Sequence, residues 1–290
     1  LAGIVLGNTT VEMDGGRVIR TIYGGGAMGS VGTYTTNDSG KPTACKENTG
    51  LSTVNISGGK IGPETMVMPN NYGNVFGAGR GEMHDLAEYP NLEKMAYFNK
   101  TEVTISGSAL VKGSVYGGSE SGHVLGNTKV IVSGGQIGCG NGKDAAYTDE
   151  EWSAADPATL LPVPSWTYTE NGYAYDKFAG TEAGKEDKYP DGTSTEGGRR
   201  VATDGHTFYG SVFGGGSGYE PYAAGKWLET AGRVEGQTEV EITGGRILSN
   251  VYGGNECTDV LGTCTVTMSD GTVGVPYPAT GFNPALGHLF

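Results

Sequence analysis

The chain has 290 residues, of which 53 are glycine, and it carries a net charge of −13. Such an acidic chain is not expected to bind nucleic acid or an anionic membrane surface, because those partners are themselves negatively charged. It contains no run of about 18 apolar residues, so the sequence predicts no membrane insertion. The glycines recur at fixed places in a repeated pattern, which indicates corner positions rather than disorder.

A short pattern recurs six times along the chain and is clearest in Thr238–Ile247, TEVEITGGRI. A leading valine is followed two positions later by an apolar residue, then by two small residues and a final apolar residue. The leading residues, by which we number repeats one to six, are Val11, Val54, Val103, Val130, Val240 and Val266. The final apolar residues, aligned without a gap, are Val18, Ile61, Leu110, Ile137, Ile247 and Val273. Alternating apolar and polar residues predict β-strands with one buried face.

A second pattern, an apolar residue, an aromatic residue and two small residues, occurs in five places. Its aromatic residues, expected to form a half-buried ladder along one edge, are Tyr23, Phe76, Tyr116, Phe213 and Tyr252. A third, weaker pattern places a valine six residues before a leading valine, at Val5, Val124, Val234 and Val260. The paired glycines suit sharp corners, since they adopt backbone angles that other residues resist.

The spacing of the repeats predicts the fold. Leading valines lie 27 residues apart at Val103 and Val130, and 26 apart at Val240 and Val266. Three short strands joined by glycine corners fit that length, and stacking the repeats buries apolar faces that one repeat cannot bury alone. We predict an all-β chain, a right-handed parallel β-helix (β-solenoid) of about six coils over residues 1–274. A β-propeller, the competing architecture, repeats at about 40 residues.

Several segments depart from the pattern. Residues 31–53 predict a loop, and residues 92–97 a short helix after Pro90. A lobe-like insertion, residues 139–209, interrupts repeat four, and a smaller one covers residues 219–232. The tail, residues 275–290, either caps the stack or marks a point where a longer protein was cut. The chain begins at Leu1 inside the pattern, without a signal peptide, so we expect a piece of a longer protein.

The insertion is the best candidate for a binding site, because long excursions from a rigid scaffold commonly carry function. It contains 13 acidic and six basic residues. All three tryptophans lie in or just after it, and aromatic rings suit both stacking on sugar rings and packing. The predicted ligand-binding residues are Trp152, Trp166, Tyr168, Tyr173, Tyr175 and Trp227. In the alternative interpretation these rings form a small core of the insertion itself.

The sequence predicts no catalytic residues, no metal site and no cofactor. Glu102, Lys129 and Glu239 fall at one outward position of consecutive repeats, which is typical of charge pairing between neighbouring strands. The histidines, interpreted as solvated surface residues, are His84, His123, His206 and His288. The cysteines, which match no zinc-site spacing and are interpreted as free buried thiols, with disulfides as the alternative, are Cys45, Cys139, Cys257 and Cys264.

The SGGxI motif (Ser133–Ile137), the VYGG motif (Val251–Gly254) and the GNT motif before a strand (Gly126–Thr128) resemble those of bacterial surface or secreted β-solenoid repeat proteins. Adhesin-like repeat proteins of gut bacteria are the nearest resemblance. It implies an extracellular or cell-surface location and a non-enzymatic role in adhesion or glycan binding, within a larger surface protein. The expected partners are a polysaccharide or host glycan, further repeats of the same protein or other copies. Two alternatives stay open: a polysaccharide lyase or glycoside hydrolase on a β-helix, and a structural stalk or filament subunit.

Overall fold

The structure is a computed structural model that describes residues 3–64, 73–82, 91–140, 143–154, 210–218, 228–275 and 288–290, and the backbone alone at 173–176 and 199–202. The described residues form an all-β architecture dominated by parallel strand pairs. A single 3₁₀ turn, Leu92–Lys94, and one short helix, α1 (Asp149–Ala154), are the helical elements of these residues.

The strands are numbered in chain order. The first half of the chain contains β1 (Thr9–Val18), β2 (Ile22–Tyr23), β3 (Tyr34–Thr36), β4 (Pro42–Cys45), β5 (Leu51–Ile61), β6 (Val75–Phe76), β7 (Tyr97–Phe98), β8 (Lys100–Ile105), β9 (Leu110–Val111), β10 (Val115–Tyr116), β11 (His123–Val124) and β12 (Thr128–Ile137). The second half contains β13 (Tyr173–Asp176), β14 (Arg199–Ala202), β15 (Val212–Phe213), β16 (Thr238–Ile247), β17 (Val251–Tyr252) and β18 (Cys264–Val273).

The longest sheet contains one strand from each repeat, ordered as in the chain: β1, β5, β8, β12, β16 and β18. All of these neighbours are parallel, and the leading valines pair with one another across the whole sheet. Ile105, Val132 and Ile242 pair in the next inward column and are fully buried, which confirms this part of the alignment. Burying each such side chain stabilises the fold by roughly 1.5–3 kcal/mol.

The ungapped alignment is wrong at repeat three. Ile61 pairs with Val111, and Ile137 pairs with the same residue, so Val111 and not Leu110 occupies the last core column. Repeat three has one extra residue in its corner, which separates β8 from β9, whereas β12 and β16 continue through the corner. Because Leu110 and Val111 are both apolar, the hydrophobic pattern alone could not distinguish them.

The second glycine of the corner explains why this residue type recurs. Gly245 has a φ of +83°, and Gly135 has a φ of +74°, in the left-handed region that residues with a Cβ resist. A Cβ on Gly245 would also lie 2.7 Å from the carbonyl oxygen of Gly134 in the preceding repeat. The corner therefore requires glycine both for its backbone angle and for the close approach of neighbouring repeats.

A second parallel sheet carries the aromatic ladder, in the order β17, β15, β10, β6 and β2. Successive ring centroids lie between 4.5 and 5.3 Å apart and the ring planes are nearly parallel, so the rings stack in the predicted ladder. Phe76, Tyr116 and Phe213 are buried, which is deeper than the half-burial we expected. Leu289 pairs with Val251 and Phe290 stacks on Tyr252 at 5.0 Å, so the end of the tail adds a sixth rung.

A third set of parallel contacts joins the residues that precede the long strands. Val5 pairs with Val31, β7 pairs with β11 through Phe98 and Val124, and Val124 pairs with Val234, which pairs with Val260. Val31 and Phe98 belong to this buried cluster although neither fits the valine pattern. In repeat two the β3–β4 hairpin separates Val31 from its long strand, and in repeat three a phenylalanine replaces the valine.

Buried hydroxyl groups connect the first and second sheets. Thr101, Thr128 and Thr238 occupy one column of the long sheet and are buried. Each donates a hydrogen bond to a glycine carbonyl in the aromatic corner of its own repeat, at Gly117, Gly214 and Gly253 respectively. These bonds satisfy polar groups inside the core and link the two sheets within a repeat.

Two local predictions are corrected by the structure. The helix expected over residues 92–97 is only the 3₁₀ turn Leu92–Lys94, because the chain enters β7 at Tyr97. The loop expected over residues 31–53 contains the antiparallel hairpin of β3 and β4.

Candidate binding site

The described start of the long insertion forms hydrogen bonds or ion pairs with residues of five of the six repeats. We call residues 143–154 the anchor segment; it comprises a short loop followed by α1. The repeat residues that it contacts through polar groups, in order from repeat one to repeat five, are Arg17, Lys60, Lys112, Gln136 and Arg246. The anchor segment therefore runs across the ends of consecutive strands rather than packing on a single repeat.

Asp144 is the centre of the first attachment. Its Oδ2 atom lies 2.5 Å from Nη2 of Arg17 and 3.1 Å from Nζ of Lys60, and its Oδ1 atom lies 3.1 Å from Nζ of Lys112. Burial alone would raise the pKa of this carboxyl group, but hydrogen bonds from the three cations outweigh that effect and hold its pKa well below the usual range. Asp144 therefore stays ionised in this cluster.

Lys112 is the most enclosed of the three cations, with a side chain that is 0% exposed. Its ammonium group donates hydrogen bonds to the carbonyl oxygens of Pro63, at 2.6 Å, and Glu64, at 2.8 Å, as well as to Asp144. A buried lysine needs such partners, because leaving the charge unpaired in the interior is costly. Its signal in the sequence is only a lysine directly after an apolar residue, Val111, which does not distinguish it from a surface lysine.

Repeats four and five provide the second attachment. The backbone N–H of Tyr147 donates to Oε1 of the buried Gln136 at 2.8 Å. Arg246 donates to the carbonyl oxygen of Tyr147 and forms an ion pair with Asp149. Its guanidinium carbon also lies 5.1 Å from the ring centroid of Trp152, a cation–π contact. This arrangement positions the first turn of α1 against the sheet.

The predicted ligand-binding residues lie in different surroundings: one in an apolar cluster, two on a strand, and three outside the described residues. Trp152 packs on a small apolar cluster formed by Tyr147, Leu248 and Val275, so its ring helps to dock the anchor segment. Tyr173 and Tyr175 lie on β13, which pairs antiparallel with β14. Trp166, Tyr168 and Trp227 lie outside the described residues. A shared binding site for the six residues stays a prediction.

The outward face of the long sheet is a second candidate surface. Lys129 forms ion pairs with Glu239 at 3.0 Å and with Glu241 at 3.2 Å, so the expected pairing between neighbouring strands is present there. An open groove of about 480 Å³ crosses repeats two to six beside this pair. Its lining is polar apart from Leu51 and includes Lys100, Glu102, Asn127, Lys129, Gln237 and Glu239.

His123 is a buried core residue, which corrects its interpretation as a surface histidine. Its ring stacks on Tyr97 with centroids 4.5 Å apart, and its Nε2 atom lies 2.9 Å from the hydroxyl oxygen of Thr230. Burial lowers the pKa of His123 to about 4, so the ring is neutral at pH 7. A neutral ring accepts the Thr230 hydroxyl hydrogen at Nε2 while Nδ1–H faces the carbonyl oxygen of Met95, 3.3 Å away.

The four cysteines are thiols in the structure and form no disulfide. Cys139 is buried and its thiol contacts the carbonyl oxygen of Lys143 at 2.9 Å, and burial raises its pKa. Cys257 and Cys264 are exposed, contrary to the expectation of buried thiols. Within the described residues, no group of three or more His, Cys, Asp or Glu side chains is placed to hold a metal ion.

A glutamate that follows the aromatic corner was not recognised from the sequence. The stretches Val115–Glu120 and Val251–Glu256 share the pattern V-Y-G-G-x-E. Glu120 accepts a hydrogen bond from the hydroxyl of Tyr23, and Glu256 accepts one from Tyr116 at 2.9 Å. The signal in the sequence is the shared spacing of four residues between tyrosine and glutamate.

In the parts of the chain that the structure describes, no helix is long and apolar enough to cross a membrane. No protein-family model, curated protein or solved structure matches this chain, so the candidate sites are defined by its own geometry.

Proposed function

We propose that the chain forms a β-solenoid, a right-handed parallel β-helix with three short strands in each coil. The support is that three sets of parallel contacts each contain one rung from every repeat, in chain order. A chain that passes through the same three sets once per repeat must wind around a common core. The right hand follows the strong preference of parallel crossover connections.

We further propose that this solenoid is a non-enzymatic binding module of an extracellular bacterial surface protein, with glycans as its ligands. The observation that carries the proposal is the attachment of the anchor segment to five repeats through Asp144, Tyr147 and Arg246. A rigid platform that holds the start of a long, aromatic-rich excursion is the usual way in which a binding loop is presented. The surface location follows from the resemblance of the repeats.

The ion pairs made by Asp144, Glu239 and Glu241 favour a binding or structural role over catalysis at these three residues. A catalytic acid or base needs a pKa near the working pH, whereas the ion pairs of Asp144 move its pKa in the opposite direction. On the outward face, Lys129 lies between Glu239 and Glu241 and neutralises part of their charge. These groups are arranged as ion pairs that hold neighbouring strands and segments together.

The test replaces residues 155–208 with a short Gly-Ser linker and keeps the anchor segment intact. Glycan-array binding and β-sheet circular dichroism are then measured separately. Retained β-structure with lost glycan binding is the expected result. A control shortens the tip of the β3–β4 hairpin, Asn37–Lys41, which should change neither readout. Equal glycan binding by the 155–208 replacement would move the site to the repeat faces and contradict the role of the insertion.

A stalk or filament subunit is a second candidate function, favoured by the two outer strands of the long sheet. Among the described residues, β1 and β18 are the outer strands of the long sheet, and each has one edge without a neighbouring strand. The residues on these two strands occupy equivalent positions of the repeat. Val11 and Met13 at one edge correspond to Val266 and Met268 at the other, and all four are at least partly exposed. Light scattering and electron microscopy over a range of protein concentrations would reveal end-to-end stacking, and a strictly monomeric particle would contradict it.

A further inference from the structure

We propose that Arg17, Lys60 and Lys112 form a binding site for an anionic group of a glycan, a carboxylate or a sulfate, and that the Asp144 carboxylate is its built-in, displaceable occupant. The choice of a glycan rests on the proposed function. The anion site itself rests only on the geometry of the cluster, so the two can fail separately.

The charge balance of the Arg17, Lys60 and Lys112 cluster favours a further anion. Three cations meet one carboxylate, and within the described part of the chain Asp144 is the acidic residue that forms ion pairs with them. Further hydrogen bonds from Arg17 and Lys112 go to neutral carbonyl oxygens, including that of Gly62 at 2.8 Å. Among the described residues, the cluster therefore keeps an excess of positive charge, in a chain whose net charge is −13. A sulfate group on a polymer offers three acceptor oxygens to these cations, and two neighbouring carboxylates offer two negative charges, whereas one aspartate offers two oxygens and one charge.

The strands place the three cationic residues next to one another in advance of ligand binding. Arg17 and Lys60 are paired in register on the neighbouring strands β1 and β5, and Lys112 directly follows β9, which also pairs with β5. The sheet therefore sets the backbone positions of the three cationic residues independently of the anchor segment. Lys112, with its 0% exposed side chain, is stabilised by an anion beside it, because an unpaired buried charge is costly.

The cluster is accessible to an anion from solvent. Asp144 belongs to the anchor segment and not to a repeat, and its side chain is 31% exposed. A ligand anion can therefore approach Arg17 and Lys60 from solvent while Asp144 is still in place. Because Asp144 is tethered, it competes as an intramolecular ligand at a high effective concentration. Guanidinium and ammonium groups together suit oxyanions with several acceptor oxygens, which favours sulfate and carboxylate over neutral sugars.

The test uses the full chain and the variant Asp144→Asn, which removes the charge and keeps the size of the side chain. Binding of inorganic sulfate is measured by isothermal titration calorimetry at low ionic strength. Removing the tethered competitor should strengthen sulfate binding about tenfold or more. The matched control is Asp149→Asn, which removes the same charge from the same segment but contacts Arg246; it should bind sulfate like the unchanged protein. Equal gains in both variants would reduce the effect to net charge and overturn the proposal.

A second pair of measurements locates the anion. Adding Lys60→Gln to Asp144→Asn should return sulfate binding to the weak level of the unchanged protein. Lys60 is chosen because its side chain is 40% exposed, so that the fold tolerates the change. Circular dichroism checks that tolerance for each variant. If the double variant binds sulfate as tightly as Asp144→Asn alone, the site lies elsewhere.

Displacement is read directly by hydrogen exchange in the unchanged protein. Dextran sulfate should increase exchange of the Tyr147 amide, which is hydrogen-bonded to Gln136 in the attached state. Unsulfated dextran should leave that amide unchanged. Binding of dextran sulfate without faster exchange in residues 143–154 would overturn the idea that Asp144 is displaced. The glycan-array experiment leaves Asp144 in place and the sulfate titration leaves the insertion in place, so each can fail alone.

Discussion

The hydroxyl of Tyr116 donates a 2.9 Å hydrogen bond to Oε2 of Glu256, which follows the aromatic corner two repeats later. Tyr23 and Glu120 form the same pair two repeats earlier in the ladder. The ladder alternates between tyrosine and phenylalanine, so each of these glutamates reaches over one phenylalanine rung to the preceding tyrosine. The molecule therefore contains a period of two repeats in addition to the period of one.

The Tyr116–Glu256 bond should contribute to stability as a pair. A double-mutant cycle of Tyr116→Phe and Glu256→Gln is expected to show a coupling of about 1–2 kcal/mol, because hydrogen bonds to charged groups exceed neutral ones. Urea denaturation of the four proteins gives the coupling. If the two single effects simply add, the bond contributes nothing as a pair.

Replacing Ile242 with aspartate should destabilise the fold by several kcal/mol, because it places a charge in a fully buried column between aliphatic neighbours. The matched control is Glu241→Gln on the outward face of the same strand, expected within about 0.5 kcal/mol of the unchanged protein. Thermal unfolding followed by circular dichroism measures both. An unchanged melting temperature for Ile242→Asp would contradict the column alignment.

The neutral, buried His123 should make the fold sensitive to mild acid. Its folded-state pKa of about 4 lies below the ordinary value of 6.5, so the unfolded chain binds a proton that the folded chain does not. This contribution to stability is fully present above pH 6.5 and is lost as the pH falls from 6.5 towards 4. We expect His123→Phe to remove this part of the pH dependence. Urea denaturation of both proteins at several pH values checks this, and identical slopes would contradict it.

The two glycines Gly245 and Gly254 should respond differently to alanine. Gly245→Ala forces a side chain into a left-handed conformation and towards the Gly134 carbonyl, so a loss of more than about 1–2 kcal/mol is expected. Among the described residues and apart from its chain neighbours, a Cβ on Gly254 would have one heavy atom within 4 Å, the Cys264 sulfur at 3.9 Å. Gly254→Ala should therefore be close to neutral. Equal losses in urea denaturation would contradict the account of the corner.

The inward columns could be predicted because the valine and isoleucine period survives in every long strand. One exception has an identifiable cause. Val31 departs from the valine pattern because a hairpin separates it from its long strand. The Asp144 cluster depends on contacts between residues up to 127 positions apart, and no local pattern in one sequence reports such contacts.

The two ends of the long insertion meet at glycines. A Cβ on Gly138 would lie only 2.8 Å from the Cα of Gly210, and the strands on both sides, β12 and β15, keep the pairing of every other repeat. The chain therefore leaves the repeat at Gly138 and returns to it at Gly210, at nearly the same position. A segment of another length could be exchanged there at a loop-closure cost that rises by only about 0.6 kcal/mol for each doubling of its length. Repeat four could therefore accept an inserted segment of a different length while the strand pairing of β12 and β15 is kept.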